Sequence, residues 1–192
     1  MSIVDKVVAA VTPPESEEAR KEARAKAKAA ARAGDWLSVI LHHHELIESA
    51  FAAVRSATSA AARTAAQKKL AILLTGHSNA EESVIYPALT AAGEKGHAAM
   101  AYTEQAAAKT QMALLENLAP MSQEYLDKLE HIRGAVAHHV YEEEGTWFLE
   151  LQDKVATSEK AKLLHRYQEE FDRYVGGDGQ FDETHRRASG GN

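Results

Sequence analysis

The sequence predicts an all-α protein: an antiparallel four-helix bundle with one extra helix before it and another after it. Three observations carry that expectation. Apolar residues recur at steps of three and four through several long segments, the period of a half-buried helix. Short stretches holding glycine or the few prolines, four in 192 residues, separate those segments. No segment alternates apolar and polar residues between turn signals, as half-buried strands do. Hydrophobic content of 45% with 26% charged residues is that of a globular domain, and the length is enough for one buried core with appendages.

The first helix is expected over about 14–33, opening at Pro14 and stopping before Gly34. Its acids (Glu15, Glu17, Glu18) come early and its bases (Lys26, Lys28, Arg32) late, as the helix dipole favours. Few large apolar residues make it a solvated, alanine-faced helix on the outside. The first bundle helix, about 36–57 with Asp35 as N-cap, carries the seam Leu37, Ile40, His44, Ile47, Phe51 and Val54. The second, about 58–86, carries Leu70, Leu73/Leu74, His77, Glu81 and Val84; Pro87 is expected to end or kink it. The third, about 94–118, shows Ala101/Tyr102, Gln105, Ala108, Met112, Leu115 and Ala119 inward, closed by Pro120. The fourth, about 122–153, shows Leu129, Ile132, Val136, His139, Glu143 and Trp147. A last helix over 158–175 carries Leu163, Leu164, Tyr167, Phe171 and Tyr174, and the Gly-rich polar stretch 176–192 is expected to be disordered. The chain thus divides into an N-terminal extension and helix (1–34), the bundle (35–153), a C-terminal helix (154–175) and a tail.

Two of these seams carry the same unusual spacing. His77 and Glu81, and again His139 and Glu143, stand four residues apart and so share a helix face. Each glutamate is followed by a second acid (Glu82, Glu144) and, five residues on, by an aromatic (Tyr86, Phe148). Buried unpaired carboxylates cost several kcal/mol each, on the order of what would unfold a domain, so five polar residues at matched depth need compensation. Two such pairs on facing helices deliver two imidazoles and two carboxylates to one buried point, and a metal centre is the reading. In the fourth helix His138/Glu142 has the same spacing. His139/Glu143 is preferred because His139 continues the seam from Ile132 and Val136, and because Glu143 keeps the five-residue distance to the aromatic. In the first bundle helix His44 lies between Ile40 and Ile47, with His43 the runner-up and His42 outward. Imidazole and carboxylate suit iron, manganese or zinc. The absence of cysteine excludes disulfides, thiolate ligands and iron–sulfur clusters.

Taken in order, these strings, His44…Phe51, "HSNAEESVIYPAL" and "HHVYEEEGTWF", resemble the motif regions of the hemerythrin-like HHE cation-binding family, over roughly residues 35–153. The resemblance implies a bundle holding two non-haem irons, oxo- or hydroxo-bridged, with Glu81 and Glu143 bridging and His44, His77 and His139 as terminal ligands. The departure lies in the third helix, "AYTEQAAAKTQMALLENL", where Gln105 stands at the family's expected histidine and His97 is two turns too early. One variant of the family's pattern has a tyrosine on that helix. Tyr102 is therefore the implied ligand, with Gln105 the alternative as a weak oxygen ligand or a donor behind the ligands.

Three imidazoles in register, where reversible oxygen carriers of this type have five, move the expectation from oxygen transport to peroxide chemistry. Six protein ligands leave open positions for O2, H2O2 or NO, and a phenolate would favour the ferric state, as in tyrosine-ligated haem. A non-haem di-iron protein with redox activity on hydrogen peroxide, catalase-like or protective, is the leading reading; a module that binds or senses O2, NO or iron without turnover is the alternative. The net charge of −6 argues against nucleic acid as a partner. No apolar run approaches the ~20 residues needed to span a bilayer, and Met1–Ala10 lack a signal peptide's apolar core. A cytoplasmic monomer or homodimer is expected.

Overall fold

In the computed structural model, which describes residues 15–176, the helices start on the caps their sequences supply. Helix α1 (Glu17–Ala30) starts on Ser16, α2 (Trp36–Ser56) on Asp35, α3 (Ala60–Ala80) on Ser59 and α6 (Gln123–Glu142) on Ser122. In each case the side-chain oxygen accepts a backbone N–H three residues on, at 2.8–3.2 Å. The others are α4 (Tyr86–Ala91), α5 (Lys95–Leu115), α7 (Phe148–Lys154) and α8 (Thr157–Val175). The 176–192 tail expectation concerns residues beyond the described ones, Gly176 apart. Among the described residues there is no strand, and no helix is long and apolar enough to cross a membrane.

Helices α2, α3, α5 and α6 form the four-helix bundle. Its core is the predicted seam: Leu37, Ile40, Ile47, Phe51 and Val54 on α2, Leu70 and Leu73 on α3, Met112 and Leu115 on α5, Leu129 and Ile132 on α6. Each of these large side chains contributes roughly 1.5–3 kcal/mol by leaving water. Two residues expected to face inward do not: Tyr102 on α5 is 40% exposed, and Ala119, which lies past that helix, is also exposed. The polypeptide is drawn round Asp35, whose second carboxylate oxygen takes the Arg32 N–H and the Gln152 amide, tying α1, α2 and α7 together.

Both ligand-type glutamates open a π-turn, Glu81–Ile85 and Glu143–Trp147, flanked by α-helix on either side. The N–H of Tyr86 reaches the Glu81 carbonyl and that of Phe148 the Glu143 carbonyl, five residues back in each case. That wider turn aligns residue i+5 with residue i, which is the physical content of the five-residue glutamate-to-aromatic spacing. It also corrects the expectation for Pro87. The helix continues through it to Ala91, because in the π register the missing Pro87 N–H falls opposite the Glu82 carbonyl, and the Tyr102 hydroxyl donates to that carbonyl instead (2.7 Å).

The two extra helices pack on the same end of the bundle as these turns. Helix α1 buries Ala23 and Ala27 against the second π-turn, so it packs on the outside through its alanine face. Helix α8 lies along α3, and Gly76 is what lets it approach: a β-carbon there would sit 2.4 Å from Val175 Cγ2.

Candidate metal centre

Glu81 and Glu143 are completely buried, side by side, where α3 and α6 pass into their π-turns. His77 Nε2 lies 3.2 Å from Glu81 Oε2, and His139 Nε2 lies 3.2 Å from Glu143 Oε1, each one helical turn before its glutamate. His44, from α2, comes between them: its Nε2 is 3.3 Å from Glu143 Oε2 and 3.9 Å from Glu81 Oε1. Donor atoms of His44, His77, Glu81 and Glu143 all fall within 4.8 Å of one another. On the other side, the Tyr86 hydroxyl is 3.0 Å from Glu143 Oε1, 3.1 Å from His139 Nε2 and 3.3 Å from Glu81 Oε2. The Gln105 amide nitrogen is 2.7 Å from Glu81 Oε2 and in contact with the Tyr86 hydroxyl.

His44 Nε2, Glu81 Oε1 and Glu143 Oε2 are buried without any hydrogen-bond partner, although they face each other. Leaving such groups unsatisfied costs roughly 1–3 kcal/mol each, more when charged. Their convergence is what a cation requires, and the donor set of imidazole and carboxylate fits a first-row metal ion.

Each imidazole is oriented from behind through its other nitrogen. His44 Nδ1 is 2.8 Å from Glu144 Oε1, and Arg24 of α1 clamps that carboxylate with three contacts at 2.9–3.0 Å. His139 Nδ1 is 2.8 Å from Glu104 Oε2. His77 Nδ1 is 3.0 Å from the Tyr167 hydroxyl of α8, which is also 2.9 Å from His43 Nδ1. These partners keep the three Nε2 atoms pointing inward, the arrangement that fixes a metal-ligating histidine.

Burial pulls His139 down, but Glu143 and Glu104 outweigh it and push it up to about 10. Burial opposes His44 in the same way, and Glu143, Glu144 and Glu81 together hold it well above its ordinary value. Burial, followed by the neighbouring His44, sends His77 well below. Burial and the Glu143 carboxylate raise Glu81 to about 7, whereas Glu143, against its own burial, is held low by His139 and His44.

The structure therefore brings together His44, His77, Glu81, His139 and Glu143, with Gln105 at the edge. Tyr102 is not among them. Its hydroxyl is engaged by the Glu82 carbonyl freed at Pro87, and only the edge of its ring reaches Tyr86, 5.1 Å between centroids. His43 is buried one layer out, stacked on Phe171 and bonded to Tyr167. Of the two acids that follow the ligand-type glutamates, Glu144 reaches His44, while Glu82 pairs with Lys109. His138 bonds to Glu15, outside the cluster. His97 stacks on Trp147 and contacts Glu94 and Glu150, of which Glu94 already pairs with Lys154. Sequence reasoning missed Tyr86, Tyr167, Arg24 and Glu104. A signal existed for the first: the two motifs place an aromatic at the same distance, and only Tyr86 has a hydroxyl.

A cavity of about 200 Å³ between α3, α5 and α6 leads to this point, bounded by His77, Gln105 and His139 and walled mainly by Ala71, Leu74, Met112 and Val136.

The model of the hemerythrin HHE cation binding domain matches residues 35–151. A DNA nickase from Nostoc sp. is 28% identical over 86 residues, which cover 45% of this chain and 24% of that protein. The chain thus spans about a quarter of that relative's length. No solved structure matches.

Proposed function

The chain belongs to the hemerythrin HHE cation-binding family, and from that premise we propose that it is a cytoplasmic non-haem di-iron protein acting on hydrogen peroxide. The observation that carries this reading is the sharing of both glutamates between two sets of donors. On one side Glu81 and Glu143 meet His44 and His77; on the other they meet His139, Tyr86 and Gln105. Two buried carboxylates, each with one oxygen partnered and the other without a hydrogen-bond partner beside His44, supply enough donors for two ions. Bound there, a pair of irons supplies two-electron redox capacity.

The chain's own residues do the rest. Glu144, Glu104 and Tyr167 hold the imidazoles in the tautomer that presents Nε2. The walls of the cavity are mostly apolar, which admits a small uncharged molecule such as H2O2, O2 or NO. Manganese or zinc would find the same donors, so the metal is part of what is tested. The net charge of −6 supports no nucleic-acid partner.

The test is to load the protein with ferrous iron and add hydrogen peroxide. Steady dioxygen release, two peroxides giving one O2 and two waters, supports catalase-like turnover. A spectral change without dioxygen release would replace it with the second reading, a module that binds or senses O2, NO or iron; the small cavity beside His77 and His139 serves either role.

A further inference from the structure

We propose that the cavity leading to this centre seats an organic hydroperoxide, a molecule with an apolar body of about benzene size and one O–O–H group. The inference rests on the peroxide reading above and names the substrate class of that same site. Size is the first argument. The cavity holds about 200 Å³, and an apolar cavity of roughly 150 Å³ already takes up benzene. Hydrogen peroxide is little larger than water and leaves most of that room unfilled. The walls suit an apolar body: Leu74, Ala108, Met112 and Val136 line the cavity, and the exposed Lys109 and Glu116 mark its mouth.

The head group is fixed by a single atom. Other polar groups of the wall are engaged: Lys109 with Asn79 and Glu82, Ser78 with the Thr75 carbonyl, Glu104 with His139. Gln105 is different. Its side chain is 5% exposed and its nitrogen is turned to the metal donors, 2.7 Å from Glu81 Oε2, but its oxygen is buried with no hydrogen-bond partner. An amide oxygen only accepts, so what completes it carries a donor. Water could meet that one atom, but it could not fill the apolar volume beside it favourably. The buried carboxylates of Glu81 and Glu143 disfavour an anion and leave a neutral O–H as the head group. Held by Gln105 Oε1, the O–O–H end stands beside the metal donors while the body lies against α5.

The test uses the metal-free, full-length chain, so that binding is read apart from turnover. Cumene hydroperoxide, cumyl alcohol and cumene, which has the same body without an O–H, are titrated by isothermal calorimetry. The expected result is saturable binding of the hydroperoxide and the alcohol. Gln105→Met should weaken both about tenfold, the scale of one buried hydrogen bond, and leave cumene bound as before. With methionine methyl labelling, cumyl alcohol should shift the NMR signal of Met112 and not those of the exposed Met100 and Met121. Ala108→Phe, which fills the cavity, should abolish binding. Should either variant fail to fold, the other variant and the Met112 signal decide. No binding of hydroperoxide or alcohol, an unmoved Met112 signal, or equal losses for alcohol and cumene in Gln105→Met overturns the proposal. Iron uptake and dioxygen release from hydrogen peroxide are read separately on the loaded chain, so failure in the calorimeter leaves the peroxide reading standing. A chain that binds these ligands yet leaves peroxide untouched fails the peroxide reading instead.

Discussion

Two clusters of buried polar side chains in this bundle differ: the one round Arg63 closes on itself, and the His–Glu cluster does not. At the Arg63 cluster, the guanidinium donates to the carbonyls of Val54 (3.1 Å), Arg55 (3.3 Å), Ala57 (2.6 Å) and Pro120 (2.8 Å) and lies over the Tyr125 ring. Every donor has somewhere to go: the group ties off the end of α2 and the turn before α6. At the His–Glu cluster the reverse holds: His44 Nε2, Glu81 Oε1, Glu143 Oε2 and Gln105 Oε1 are buried with no partner. Both clusters are buried, polar and charged. The difference is satisfaction, and it separates a structural device from a binding site. The first is complete as folded; the second is completed by something added.

The comparison is broken most forcefully at Glu81. Burial already raises this carboxyl to about 7, so in the metal-free protein an amide replaces a group that is largely uncharged below neutral pH. Glu81→Gln should abolish iron uptake, read by elemental analysis, while the metal-free protein keeps its stability to within about 1 kcal/mol in urea unfolding. Arg63→Met should do the opposite. Four carbonyls lose their donor, at roughly 1–3 kcal/mol for each one that stays buried, and the unfolding free energy should drop by about 3 kcal/mol or more with iron content unchanged. If either variant moved both quantities together, the two clusters would not be different in kind.

A smaller effect is expected one layer out. Tyr167→Phe removes the hydroxyl behind His77 Nδ1 without touching a donor atom. Metal affinity should fall about 10–100-fold, measured by competition with a chelator, the usual scale for such partners. Tyr102→Phe is the mildest. It leaves the Glu82 carbonyl unpaired at a half-exposed position, costs about 1 kcal/mol in unfolding free energy and leaves metal affinity in place.

The parts of this account that the sequence could reveal are those written at short range. Steps of three and four laid out the seam of α2, and His77/Glu81 and His139/Glu143 announced themselves because one helical turn brings them together. What stayed hidden depends on distance along the chain. Arg24 meets Glu144 across 120 residues and Tyr167 meets His77 across 90, on helices whose own periodicity says nothing about where they dock. The π-turns were hidden for another reason. A residue at i+5 points away in an α-helix, so the spacing of Tyr86 from Glu81 carried no role until the wider turn brought its hydroxyl to Glu81 and Glu143. Pro87 is the trace of that turn: expected to end or kink the helix, it stands where the helix has already changed register.

The central claim is that the unsatisfied cluster is a metal site built for two ions. Its most direct test is elemental analysis of the purified chain after anaerobic loading with ferrous iron and removal of excess metal, set beside Glu81→Gln treated identically. The account predicts about two irons per wild-type chain and none in the variant. A wild-type chain that retains no metal, or a variant that retains as much as the wild type, would contradict it.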